Sequence, residues 1–478
     1  MDPGQVSQMT SSRGRAVSRF SLPDILRQPG TAVRALQDRL LSETVELCYN
    51  AHPFYGALMR RAGLEPRHLR SCDDLVRLPV STKSDFLADP EAFQLRGDHL
   101  PADFTTLWKV IYTTGTTSGR PAPIFVTAFD YYNYLYVCER HQDLVGLRAD
   151  DHIANLFPLT PFPMGAYGRA LDEAAAVSAM MFCAHTGRDA SVIPVHRSLD
   201  DAVKLIETHR ATVLWGVAGF VRRVLIRAAE LSADFRSVRL AMITGEASSV
   251  AMRDDMSRRM SELGCAGSQV VNRYGSTEKG VSMVECEPGS GFHSLAPDQI
   301  FHEVVDPDTG ARVGDGTPGM LAFSHLLRRG TVFLRYQVGD RVTMTSEPCP
   351  HCGRTSPRIT SQPVRTGDIV KIKGTLVNLQ ALKNFLEEQP SIDEYQIVIR
   401  PKLAADPMSG DELLIRVAER PLEGGACRHD ALREQIERHV HLSVAVESAS
   451  RDDIFDPTIS AKPRRVVDLR TLDNKENF

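Results

Sequence analysis

Several large classes of protein are excluded by what this sequence does not contain. No apolar run in its 478 residues approaches the roughly 18 needed to span a bilayer, so a membrane-embedded chain is not expected. Lys and Arg total 56 against 60 Asp and Glu, a net charge of −4. With no basic excess, nucleic acid is not expected as the main partner. The opening "MDPGQVSQMTSSRGRAVSRF" has arginines and serines but no apolar core. It does not read as a secretory signal, and residues 1–20 are expected to form a disordered tail, with a transit peptide as the alternative. The sequence also lacks an internal repeat, a G-x-x-x-x-G-K-[ST] phosphate loop, an H-E-x-x-H helix and a hydrolase nucleophile elbow. Nine cysteines, an odd number without a signal ahead of them, predict a reducing, cytoplasmic location, with most of them serving as small buried hydrophobes.

What is present is a soluble composition, 42% hydrophobic and 24% charged, over a length that predicts two to four domains. Between residues 200 and 278, helical patterns alternate with short apolar strands. "DDAVKLIETHR" reads as helix and "ATVLWGV" as strand, and "GFVRRVLIRAAEL" and "VRLAMITGE" repeat the pair. "VAMRDDMSRRMSELG" and "SQVVNRYGSTE" follow as helix and strand. Such alternation predicts a largely parallel sheet. Each strand ends in a turn of small or polar residues, "GVAG", "GEAS" and "YGSTE", where open α/β sheets bind ligands. Beyond residue 300, "IFHEVVDPDTG", "GMLAFSH" and "TVFLRYQVGDRVTM" predict a β-rich subdomain. After residue 365 a strand turning at Gly374, a helix capped by Asn378, and the strands "EYQIVIRP" and "ELLIRVAER" predict a separate α+β domain.

Two stretches carry chemistry. "IYTTGTTSGRPAP" (111–123) packs hydroxyls and glycines into a loop whose exposed amides suit phosphate. "CPHCGR" (349–354) has the turn of a zinc knuckle, in which two thiolates face one metal. "ECEPGSGFH" offers Cys286 and His293 as the second half, with His351 and His302 as substitutes. Four such ligands would close a structural site.

The order of motifs along the chain resembles that of the adenylate-forming superfamily, the acyl- and aryl-coenzyme A ligases. The phosphate loop is followed by "GEA" (245–247), "YGSTE" (274–278), "RYQVGD" (335–340), "VRTGDIVKIKG" (364–374) and "ISAKPRR" (459–465). "FYGALMRRAGLEPRHLRSCDDLVRLPVSTKSDFLAD" (54–89) is similar to the N-terminal segment of the phenylacetate–coenzyme A ligase branch, whose members often carry a comparable Cys/His set. The resemblance implies an α/β fold. A large N-terminal domain (21–364) would have mainly parallel sheets and a zinc-knuckle β subdomain near 285–360. A small mobile lid domain (365–478) would follow, with the hinge near Val364–Asp368.

It also implies roles. Thr113, Thr114, Gly115, Thr116, Thr117, Ser118 and Gly119, with Arg120, would close over the phosphates of ATP. Gly245, Glu246 and Ala247 would line the adenine slot, and Tyr274 would stack near the base, in one turn with Gly275 and Ser276. Thr277 would contact the α-phosphate or acyl carbonyl, Glu278 would hold magnesium, and Asp340 would bind the ribose hydroxyls. Arg365 and Asp368 mark the hinge, and Lys462 is the mobile catalytic lysine. Phe157, Phe162, Met164, Trp215 and Val217 fall near the family's acyl pocket, core residues being the alternative. The sequence departs from the family pattern at Arg120, where lysine is usual, in a loop one residue longer than the common form, and at Val364, where glycine is common. The expected activity is ATP-dependent activation of an aromatic or apolar carboxylic acid, then transfer to coenzyme A. An amine or carrier-protein thiol as acceptor, or a non-catalytic nucleotide-binding relative, are the alternatives, and a homodimer is compatible with all of them.

Overall fold

The computed structural model describes residues 25–96, 107–113, 121–157, 165–184, 198–373, 375–403, 406–420, 429–456 and 463–470. Its centre is a nine-stranded sheet. From one edge, Met180–Cys183, His152–Asn155, Val213–Val217, Leu240–Thr244 and Gln269–Tyr274 run parallel. The strands Val213–Val217 and Leu240–Thr244 are apolar almost throughout and buried along nearly all their length, as parallel strands covered by helices must be. The helices Leu199–Thr208, Ala218–Glu230 and Val250–Glu262 connect them. Ser198 and Ser249 cap the first and third of these by accepting the amides of Asp201 and Met252. The expected alternation of helix and strand is therefore what the chain forms.

Past Gln269–Tyr274 the same sheet turns antiparallel through Met283–Val284, Phe292–Ser294, Arg358–Ile359 and Met344–Thr345. The cysteine turn lies in this extension. A second, four-stranded sheet joins Ile300–Val305, Gly319–His325, Tyr336–Val342 and Val364–Arg365, all antiparallel. The hairpin Leu107–Tyr112 and Pro123–Thr127 brackets the hydroxyl-rich loop, of which Thr114–Arg120 lie outside the described residues.

After Asp368 come the paired strands Ile369–Ile372 and Thr375–Asn378; Gly374 between them lies outside the described residues. Asn378 then caps the helix Leu379–Glu387 through the amides of Gln380 and Ala381. The strands Ile392–Leu403 and Asp406–Glu419 pair with Val444–Ser448 and Val466–Asp468. Leu382, Leu386, Ile397, Ile415 and Ile436 belong to a core separate from that of the large sheet. Charge joins the two cores. The Asp393 carboxylate accepts from Arg222 (3.0 Å), Arg259 (3.3 Å) and Arg451 (2.6 Å), while Arg222 also reaches Asp255 at 2.8 Å. Burial works to raise the Asp393 pKa, but these guanidinium groups hold it below the usual range. Among the described residues, no helix is long and apolar enough to cross a membrane.

A second buried charge cluster braces the parallel strands. Glu173 accepts from Arg273 (2.6 Å), His141 (2.5 Å) and the Tyr134 hydroxyl (3.1 Å). The Arg273 guanidinium also covers the Trp215 ring at 4.6 Å. Burial would raise the Glu173 pKa, yet Arg273 and His141 bring it from 4.5 to about 2. Because the folded value is depressed, this carboxylate contributes stability fully present above pH 4.5 and lost as pH falls toward 2. Glu173→Gln strands Arg273 in the interior and should cost about 3–5 kcal/mol in denaturant unfolding. Between pH 4.5 and 2 its stability should also fall less steeply than that of the parent, by up to about one proton in the linkage slope. Equal slopes would show that the charge of Glu173 does not govern the acid limb.

Candidate active site

Three strand ends build a rim. Val217, Gly245 and Tyr274 close Val213–Val217, follow Leu240–Thr244 and close Gln269–Tyr274 respectively. Gly245 has φ +88°, a left-handed conformation that glycine adopts without strain, and a β-carbon there would lie 3.4 Å from Val217 Cγ2. The Glu246 carboxylate accepts the Gly219 amide at 2.5 Å, tying the second turn to the N-terminus of the Ala218–Glu230 helix. Ala247 follows, half-buried.

In the third turn the Tyr274 hydroxyl donates to Asp340 Oδ2 at 2.5 Å, and Arg365 Nε lies 3.1 Å from Oδ1 of the same carboxylate. Burial and Asp340 together push the Tyr274 pKa well above its ordinary value, so it stays a neutral donor. Asp340 is 3% exposed and faces Arg365 across the register of Tyr336–Val342 and Val364–Arg365. Ser276 accepts the Lys279 amide at 3.2 Å, which tightens the turn; Gly275 is exposed and Thr277 half-buried. The Glu278 side chain is nearly buried, at 8% exposure. Asp368, by contrast, faces Lys383 at 3.3 Å on the C-terminal side.

The structure therefore brings Gly245, Glu246, Ala247, Tyr274, Gly275, Ser276, Thr277, Glu278, Asp340 and Arg365 to one end of the sheet. Thr113 closes the base of the hydroxyl loop, its amide donating to the Ala122 carbonyl (3.0 Å) and its hydroxyl accepting the Ala122 amide (2.9 Å). Thr114 to Arg120, Phe162, Met164 and Lys462 lie outside the described residues. The neighbour of Lys462 is informative. Pro463 packs so closely on Gly219 that a β-carbon there would fall 2.8 Å from its ring, beside Glu246. The C-terminal segment thus reaches the rim. Phe157 and Trp215 are 3% and 1% exposed in the main core, with Trp215 beneath Arg273, and Val217 stands at the rim itself.

The cysteine turn forms a second centre. The donor atoms of Cys286, His293, Cys349 and Cys352 all lie within 4.8 Å of one another. Cys286 and Cys349 sulfurs are 3.9 Å apart, too far for a disulfide, and Cys352 Sγ is 3.8 Å from His293 Nε2. A tetrahedron with metal–sulfur bonds of ~2.3 Å has an edge of about 3.8 Å, so the spacing suits four-coordinate metal. Burial, then Arg358 and Arg354, lower the His293 pKa to about 4, which keeps the imidazole in its ligating form. The Gly353 amide donates to the Cys349 carbonyl at 2.9 Å and sets the turn. Of the substitutes, His351 pairs with Glu287 and His302 is buried elsewhere, so neither joins the cluster.

The sequence reading missed two features. Lys279, directly after Glu278, is a buried cation; its place beside the motif was the available signal. The Glu173–Arg273 pair had none, because its members are 100 residues apart.

Comparison with known proteins fits this geometry. The family model for AMP-binding enzymes matches residues 65–333. Phenylacetate-coenzyme A ligase of Thermus thermophilus is 29% identical over 475 residues, 94% of this chain and 99% of that one. Its Escherichia coli namesake is 25% identical, covering 92% and 95%. A solved structure of 2-hydroxyisobutyryl-CoA ligase with 2-HIB-AMP superposes with a TM-score of 0.76 at 24% identity, over 95% of this chain and 93% of that one, and so shares its fold. With the rim turns in place and the match running through them, the chain belongs to the AMP-binding enzymes, the adenylate-forming superfamily, in its phenylacetate–coenzyme A ligase-like branch.

Proposed function

We propose that this enzyme activates a carboxylic acid with ATP and passes the acyl group to a thiol, that of coenzyme A. The carboxylate oxygen attacks the α-phosphorus, the bond to the β-phosphate oxygen breaks, and pyrophosphate leaves. The thiol sulfur then forms the thioester and AMP departs. The observation that carries this reading is the Tyr274–Asp340–Arg365 constellation at the rim of the parallel sheet, in a chain matched nearly end to end by ligases of this class.

In this reading Tyr274 stacks near adenine and Gly245–Ala247 line its slot. Oδ2 of Asp340 accepts the Tyr274 hydroxyl and Oδ1 is ion-paired with Arg365, and both oxygens keep lone pairs for ribose hydroxyls. Thr113 to Arg120 enclose the phosphates, and Thr277 contacts the α-phosphate. Glu278, a nearly buried carboxylate, fits the oxygen-ligand needs of magnesium, which when bound neutralises phosphate charge. Lys462 supplies positive charge at the α-phosphate, and the packing of Pro463 on Gly219 supports its reach. Cys286, His293, Cys349 and Cys352 would hold zinc, closing a structural shell with no open position for chemistry. The described cysteines are all free, in keeping with a reducing compartment.

Pyrophosphate release over a panel of carboxylic acids, with and without coenzyme A, tests the activity; no release with any acid would reject it. AMP release that ignores coenzyme A but responds to amines or a carrier protein would move the acceptor to the alternative. Lys462→Ala should slow pyrophosphate release about 10²–10³-fold yet still transfer from a supplied acyl adenylate. Asp368→Pro should do the reverse, because proline stiffens the point about which the domain would turn. Equal loss of both half-reactions in folded Lys462→Ala would argue against domain alternation.

Metal analysis of protein purified without chelator should find about one zinc per chain. Cys349→Ser should lower thermal stability more than it lowers the turnover of the protein that remains folded. Metal-free protein of full stability would remove the zinc assignment.

A further inference from the structure

Behind the Tyr274 turn lies a small cleft that the roles above leave unused. Lys279 enters it from the motif itself. The residue is 1% exposed, and among the described residues its ammonium has no hydrogen-bond partner. It stands 4.4 Å from the centre of the Tyr274 ring. Arg328 enters from the turn after Gly319–His325, with Nε and Nη2 also buried and unpartnered. Gly280, at φ +81°, leaves room for the Arg328 guanidinium: a β-carbon there would fall 2.2 Å from Arg328 Nη1. Val281, Ile300 and Leu327 supply apolar walls.

Two carboxylates act on these cations through space, Asp340 on Lys279 and Asp130 on Arg328, but among the described residues neither makes a hydrogen bond to them. Asp130 faces the cleft, but its oxygens accept the amides of Thr127 (3.0 Å), Arg329 (2.7 Å) and Gly330 (2.9 Å) and make no hydrogen bond to Arg328. His325 accepts the Phe333 amide at Nδ1 (3.1 Å), and its Nε2 lies 3.3 Å from the Lys279 carbonyl, which fixes a neutral imidazole. His302 is held neutral by burial and by Lys279. Arg169 adds a further positive field to both cations. Buried cationic groups left without hydrogen-bond acceptors are costly to a fold, and functional sites are where folds retain them. Burial lowers the Lys279 pKa to about 7, a shift that a bound anion would reverse.

We infer that the Lys279–Arg328 cleft receives a second anionic group of the substrate acid, remote from the carboxylate that reacts, so that the preferred substrates are apolar-bodied acids with two acidic groups. This rests on the proposed activity, since it names the class of acid. The reacting carboxylate must reach the α-phosphorus at the rim beside Thr277, whereas Lys279 lies in the interior behind Tyr274. A site built to pair a charge discriminates strongly against an analogue that lacks it, because its own groups are then left unsatisfied.

The test uses matched pairs of aromatic and aliphatic acids, each with and without a second carboxylate. The parent should favour the diacid in kcat/KM, and Lys279→Met should lower the diacid-to-monoacid ratio at least about tenfold. Arg328→Met should lower the same ratio independently, and so decides the matter if Lys279→Met does not fold. Calorimetric binding of the same pairs without ATP should show the same preference and the same loss; this arm decides the inference even if no acid supports pyrophosphate release and the proposed activity itself falls. An unchanged ratio in both variants would overturn the assignment. So would an equal loss for monoacids and diacids, which would place the reacting carboxylate on Lys279, or a raised KM for ATP with acid preference intact, which would make the pair a phosphate site.

Discussion

The carboxylate of Asp340 is the point at which the parts of this enzyme meet. One oxygen takes the hydroxyl of Tyr274, at the end of the central parallel sheet, and the other faces Arg365, the last residue before the C-terminal segment begins to separate. Two sheets and the start of the C-terminal segment thus converge on one buried anion. A carboxylate with two partners already in place is pre-oriented, so little reorganisation would be left to complete on binding the ribose hydroxyls proposed for it. Its neighbour on the same rim, Glu246, performs a comparable task by holding the amide of Gly219 and hence the start of a helix.

Charge is used differently in three interior regions. At Glu173 it is closed: Arg273, His141 and Tyr134 satisfy the carboxylate, and the result is a rigid brace under the rim strands. At Asp393 it is shared across two cores, which adds a polar, geometrically specific element to a contact that also packs Ala418, Ile454 and Phe455 against the main core. At Lys279 and Arg328 carboxylates act only through space, and among the described residues the hydrogen-bonding capacity of the Lys279 ammonium and of Arg328 Nε and Nη2 is left open. Only the third arrangement asks for a ligand.

The cysteine centre shows how a small motif is folded into a larger design. The turn at Cys349–Gly353 is local, but its partners come from strands of the antiparallel sheet extension. Register supplies the geometry: His293 is paired with Val284 on one side and Arg358 on the other, which aims its ring at the turn. A metal held there would fasten the end of the sheet remote from Met180–Cys183.

The sequence by itself determined the elements and the rim. Strands 213–217, 240–244 and 269–274 and the helices between them follow from periodicity and caps, because those signals are local. Motif order along the chain was enough to bring Gly245, Tyr274, Glu278 and Asp340 into one reading, since strand ends of a parallel sheet meet at one edge. What tertiary structure alone decided was which side chains have partners. Trp215 lies on a strand buried on both faces, so alternation could not say whether it met ligand or core, and packing placed it under Arg273. Glu173 finds Arg273 across 100 residues of chain, a pairing that no local pattern encodes. Lys279 reads in sequence as one more charge after a glutamate. Only burial and the lack of a hydrogen-bond acceptor for its ammonium among the described residues set it apart, because the meaning of a charge depends on what surrounds it.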